Sequence, residues 1–190
     1  MALSELLSVD IRGLMRLEES VVRLHRWEAI GPVLAAGMRS LIDSEYCIYN
    51  ETNVVGTQFT RQFLTEHIEP HHSLLPRFYR HLGDHPIVAN LGFEGLFGEV
   101  RQIADFCTLR EYYQTGLYTE FYRYIGVDQQ ILTGMGIYGG VPVICCTHRK
   151  RKAFTRREQQ IVVALKQRLA PILQAKADEE YARRELEALL

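Results

Sequence analysis

Six aromatic side chains fall between Arg110 and Tyr124: Tyr112, Tyr113, Tyr118, Phe121, Tyr122 and Tyr124. Tyrosine combines a large apolar body with a hydroxyl that seeks a partner when buried. A pocket walled by Tyr112, Tyr113, Tyr118, Phe121 and Tyr122 would hold a flat or amphipathic small molecule. Ordinary core and helix packing is the plainer account of the same rings. An enclosed cavity touched by several of them separates the two outcomes.

Three further clusters could do chemistry. His67, His71, His72, His81 and His85 lie within nineteen residues, and His67 and His71 have the four-residue spacing of two metal ligands on one helix face. Pro70 between them opposes a continuous helix, and no second ligand set accompanies them, so they read as solvated loop histidines. Arg149, Lys150, Arg151, Lys152, Arg156 and Arg157 put six cations in nine residues. Arg149, Arg151, Arg156 and Arg157 form a candidate patch for an anion or an acidic partner, because a helix N-terminus already favours negative charge. A solvated loop is the plainer account. Cys145 and Cys146 lie near His148 and this basic loop, which could lower a thiol pKa, yet their apolar strand should bury them. No GxSxG elbow, GxxxxGK[ST] loop or HExxH pair is present, and no catalytic residue, metal or cofactor is expected.

The elements that would position these groups follow from periodicity. Leu7, Leu14 and Val21, with Leu3, Leu17 and Leu24, make a heptad-like stripe interrupted by Asp10. Ile11, Met15 and Val22 widen that face, which suits docking on the domain or pairing with a second subunit. Gly31-Pro32 predicts a break, with Pro32 opening the next helix. Strands are predicted over 46–49 and 54–59, and a loop-rich stretch with one short helix over 74–82. Thr108 with Glu111, and Thr155 with Glu158, are capping boxes. A short helix is predicted over 118–124. Strands over 130–138 and 141–148 are joined by Gly139-Gly140, and a long final helix is kinked near Gln167 by Pro171. Hairpin-paired strands with helices packed on a face predict an α+β domain with an antiparallel sheet.

With 190 residues, net charge −1, 47% hydrophobic and 24% charged residues, the chain has no basic nucleic-acid footprint. The N-terminus lacks a secretion-signal layout, and no apolar run would span a bilayer. A cytoplasmic, soluble protein with reduced thiols and no membrane contact is expected.

One run of residues carries more. His85-Pro86, Ile103-Ala104-Asp105-Phe106, the stretch Tyr113-Gln114-Thr115-Gly116-Leu117-Tyr118-Thr119-Glu120-Phe121-Tyr122, Gly126-Val127-Asp128-Gln129-Gln130, Arg149, Phe154-Thr155-Arg156-Arg157-Glu158 and Leu169-Ala170-Pro171 follow in order. Together they resemble the GAF-like N-terminal sensory domain of bacterial LuxR-type transcription regulators. The resemblance implies a GAF-like sensor over 31–175, a possible dimerisation helix over 1–30, and a linker helix over 176–190. It also implies a homodimer, an unidentified small-molecule ligand, and DNA contact only through a helix-turn-helix domain absent from these residues. The closing helix would lead toward that output domain. Two alternatives stay open: a dimerisation or scaffold module with a filled core, and a thiol-based redox enzyme or sensor of GAF fold with an accessible cysteine.

Overall fold

The computed structural model describes residues 6–53, 55–66 and 71–189. Leu3, Val54, His67, Glu69, Pro70 and Leu190 lie outside them, as does the side chain of His71.

Five strands, β1 (Tyr46–Thr52), β2 (Phe59–Leu64), β3 (Arg101–Gln102), β4 (Gln129–Tyr138) and β5 (Val141–Arg149), form one antiparallel sheet in the order β2-β1-β5-β4-β3. Gly139 and Gly140 have φ of 56° and 80°, the two positive values a tight β4–β5 hairpin requires. Every residue of β1 is buried, because both faces of the sheet are covered. Alternation survives in where the side chains go. Cys47, Tyr49, Ile131, Met135, Val143 and Cys145 join one apolar cluster; Tyr46, Ile48, Leu132, Ile144 and Cys146 join the other.

The first cluster is closed by α1 (Ser8–Val22), α2 (Ile30–Leu41) and α7 (Arg156–Ala188). The second is covered by α3 (His71–Arg80), α4 (Pro86–Gly95), α5 (Leu109–Tyr112), a π-type turn over Tyr118–Tyr122, and the short α6 (Arg123–Ile125). The architecture is therefore α+β, with helices on both faces of an antiparallel sheet. Both capping boxes form. The Thr108 and Thr155 hydroxyls accept the N–H of Glu111 and Glu158, whose carboxylates accept the N–H of the capping threonine in return. α7 runs on through Pro171 for 33 residues, about 50 Å at 1.5 Å per residue.

Four expectations change. Leu14, Leu17 and Val21 are buried as the heptad stripe requires, but Leu7 is exposed, and Ile11, Met15 and Val22 do not widen the buried face; they stay exposed. Asp10, the break in that stripe, lies inside α1. It is buried, its carboxylate accepts the Leu7 N–H, and Arg157 grips both of its oxygens at 2.8 and 2.6 Å. The chain breaks before a 3-10 turn at Trp27–Ala29 rather than at Gly31-Pro32. Pro32 sits in the first turn of α2, where the missing N–H has no carbonyl to serve. β2 spans Phe59–Leu64 rather than 54–59, because the Asn53 side chain accepts the N–H groups of Thr57 and Gln58 and holds that stretch as a turn. Finally, α4 occupies a stretch expected to be loop. His85 caps it and Pro86 opens it, and Gly92 breaks it internally at φ 66°.

Candidate ligand-binding cavity

Between the sheet and α3–α6 lies a cavity of about 380 Å³, within the range of small-molecule sites. Ile48, Ile144 and Leu132 form its floor, and Phe59, Phe78 and Phe121 stand among its walls. The rings of the helical layer support one another: Phe78 packs on Phe59, Phe121 and Tyr122 at centroid distances of 5.4, 5.1 and 6.3 Å. No Asp, Glu, Lys or Arg is among the described residues that line the space.

Polar groups sit at both ends. At one, His85, Gln130 and His148 form a buried chain whose direction is fixed by one backbone amide. The Ile87 N–H donates to His85 Nδ1, so that nitrogen is unprotonated and Nε2 carries the hydrogen. Nε2–H donates to Gln130 Oε1 at 2.5 Å. The amide nitrogen of Gln130 therefore faces His148, and donates to its Nε2 at 2.8 Å. Burial lowers the His85 pKa to about 4, in keeping with a neutral ring whose two nitrogens are both engaged. Tyr122 Oη donates to the same Gln130 oxygen at 3.5 Å, and Tyr46 stacks on His148 at 4.5 Å.

The other end is formed where β1 meets β2. Gln62 donates to Asn50 Oδ1 at 2.6 Å, and Asn50 Nδ2 lies 3.4 Å from the Ile144 carbonyl and 3.5 Å from Cys146 Sγ. Thr52 lines the cavity and is 3% exposed, yet its Oγ1 has no hydrogen-bond partner among the described residues.

The residues singled out in the sequence are divided by this arrangement. Phe121 and Tyr122 line the cavity. Tyr112 is buried behind them, 6.2 Å from Tyr122. Tyr113 and Tyr118 stack on each other at 4.4 Å on the outer side, where Tyr118 Oη donates to Asp128 at 3.1 Å. Burial raises the pKa of Tyr112 and of Tyr122, so both hydroxyls keep their protons.

The four arginines do not form one patch. Arg149 is buried; its guanidinium pairs with Glu158, donates to the Asp43 carbonyl and lies 4.3 Å over the Phe154 ring. Arg157 is committed to Asp10, whose carboxyl it holds below the usual carboxylate range. Arg151 and Arg156 are exposed at separate points, with the Arg151 N–H donating to Asp128. Two of the four charges thus fasten the first turn of α7 to the body.

The histidines scatter as well. His72 is exposed, His81 contacts Asp84 and Glu120 at 3.0 and 3.2 Å, and His85 is buried in the cavity rather than solvated. Among the described residues no three His, Cys, Asp or Glu side chains converge as a metal set. All four cysteines are unbridged. Cys146 faces the cavity, and burial pushes its thiol up to about 12; Cys145 faces the other layer and is also raised by burial. Neither provides a thiolate near neutral pH. Sequence reasoning missed Thr52, Asn50, Gln130 and Phe78. The one available signal was strand alternation, which places Ile48, Asn50 and Thr52 on one face of β1.

No family model and no curated protein matches the sequence. Solved structures do. The fold is similar to the crystal structure of CepR2 from Burkholderia cenocepacia, an N-acylhomoserine lactone dependent LuxR family transcription factor. The TM-score is 0.60 at 13% identity, covering 89% of this chain and 98% of that one. It is similar to the LBD domain of VqsR from Pseudomonas aeruginosa, with a TM-score of 0.51, 15% identity and coverage of 92% and 98%. It is similar also to the GAF domain of the cyanobacteriochrome TePixJ, with a TM-score of 0.53, 14% identity and coverage of 82% and 94%. What these chains share at such identities is the GAF-like α+β fold expected from the sequence.

Proposed function

We propose that this chain is a ligand-sensing domain of a bacterial transcription regulator, binding a small molecule without turning it over. The observation that carries the reading is the cavity of about 380 Å³ on one face of the sheet, apolar along its length and polar at its ends. Two of the similar structures, a lactone-dependent regulator and an LBD domain, support the same assignment. The raised thiol pKa values weigh against a cysteine nucleophile and so favour binding over catalysis. Occupancy would act by favouring one arrangement of α1 and α7 over another, through a difference in affinity between the two.

Thermal unfolding with a panel of N-acylhomoserine lactones and other amphipathic molecules tests this. A ligand at one hundred times its Kd should stabilise the fold by about 2.7 kcal/mol. Failure of every compound to shift unfolding, with nothing co-purifying by native mass spectrometry, would overturn the reading.

The reading includes a homodimer. Ile11, Met15 and Val22 leave an apolar stripe on α1 exposed, at 45%, 47% and 52%, and a second copy would cover it. Met15→Glu should then halve the mass seen by sedimentation; an unchanged mass removes α1 from the interface.

A further inference from the structure

The two polar ends of the cavity differ in what they have left to give. At the histidine end the Ile87 N–H, His85, Gln130 and the Nε2 of His148 are matched donor to acceptor in one continuous chain. A ligand head bonding to the atoms of that chain would have to break bonds already made.

The opposite end lies about 20 Å away along β1, six residues from Tyr46, which pairs with His148, to Thr52, which pairs with Phe59. There Thr52 Oγ1 is buried and unmatched among the described residues. A hydroxyl left in that state costs stability unless something bonds to it. Tyr79 reaches the same end: its Oη accepts the Phe59 N–H at 3.0 Å, which leaves its own hydrogen for a second bond. This end therefore offers hydroxyl hydrogens. Between the ends the walls are apolar, and no ionised side chain among the described residues lines them. A charged head would sit without an ionised partner among apolar walls, at a cost far above that of a neutral dipole.

Resting on the sensing reading above, we infer that the ligand is an uncharged amphipath whose polar end is a hydrogen-bond acceptor, such as a carbonyl oxygen. Its head binds at Thr52 rather than at the buried histidines, and its apolar body lies along Ile48, Ile144 and Phe78 toward Phe121.

Three ten-carbon probes, 2-decanone, decanoate and decylammonium, separate the elements of this inference by calorimetry on the whole chain. The ketone should bind the native protein, and both ions should bind at least about tenfold more weakly. Thr52→Val, which keeps the shape and removes the hydroxyl, should weaken the ketone about five- to tenfold, the weight of one buried neutral hydrogen bond. Thr52→Ser should restore it. The ketone's carbonyl stretch should lie lower in the native complex than in the Thr52→Val complex. Without ligand, Thr52→Val should melt about 2–4 °C higher, because an unmatched buried hydroxyl has gone. Equal ketone affinity in the native and Thr52→Val proteins would overturn the Thr52 assignment and leave the sensing reading standing. Ions binding as tightly as the ketone would overturn the uncharged assignment. If no probe binds at all, the uncharged-amphipath assignment is overturned, while the sensing reading is decided by the wider lactone panel and native mass spectrometry.

Discussion

The two faces of the sheet are built to different standards. On the α1–α2–α7 face, Leu34, Met38, Ile30 and Tyr49 have no exposed surface, and α2 packs directly on α1 and β2. A Cβ on Gly31 would lie 2.2 Å from Phe63, and one on Gly37 would lie 2.3 Å from Leu17. The buried charge of this face is saturated too: Glu51 Oε1 accepts from Trp27 at 2.9 Å and Tyr49 at 3.0 Å, with Arg61 at 3.4 Å. On the α3–α6 face the helices are short and a cavity remains. Glu51 and Thr52 are chain neighbours that point to opposite sides, one with three partners and the other with none among the described residues. Close packing yields stability on one side, while incomplete packing on the other leaves room for a ligand.

The largest test of this contrast lies on the filled side. Leu34→Ala should cost about 4 kcal/mol in urea unfolding, near the top of the range for leucine truncation, because its surroundings cannot collapse. A loss below about 2 kcal/mol would mean that this face is looser than its geometry implies.

The hollow side should reveal itself in acid. His85 has a folded pKa of about 4 against an unfolded value near 6.5. Between those values the unfolded chain binds a proton that the folded chain refuses, so stability rises with pH across that window. His85 costs the fold nothing above about pH 6.5, and the stability lost grows as pH falls toward 4, where the loss reaches about 3 kcal/mol. Urea midpoints from pH 7 to 4.5 should show this slope, and His85→Asn, which keeps a capping side chain, should flatten it. An equal slope in both proteins would mean that His85 titrates as a solvated histidine.

The smallest effect has the opposite sign. Leu132→Phe adds volume toward the cavity and should stabilise the ligand-free fold by about 1 kcal/mol while weakening any cavity ligand. Destabilisation by more than about 1 kcal/mol would show a site already filled.

The filled side was the more legible in sequence. Thr155 and Glu158 announce the start of α7, and Gly139-Gly140 announces the hairpin, because each signal is complete within a few residues. Pairings across the chain left no such mark. Asp10 looks like a flaw in an apolar stripe until Arg157, 147 positions later, is found holding it. Of the five aromatic candidates two reach the cavity, because the π-type turn sets the phase of the segment, sending Phe121 and Tyr122 to the cavity and Tyr118 outward. Glycines disguised α4, although His85-Pro86 is a good cap and first residue. The cavity itself is a property of what the helices fail to fill, and no residue type encodes a void.

Because β1 is buried along its whole length, it is a partition one peptide thick. A molecule tugging on the hydroxyl of Thr52 pulls on a peptide unit shared with Glu51. Glu51 is tied to the Trp27 ring, and the adjoining Glu28 lies 3.6 Å from Arg184 on the far stretch of α7. From the hollow chamber to the longest rod in the molecule the wiring is five residues long, and none of it runs through a loop at the rim.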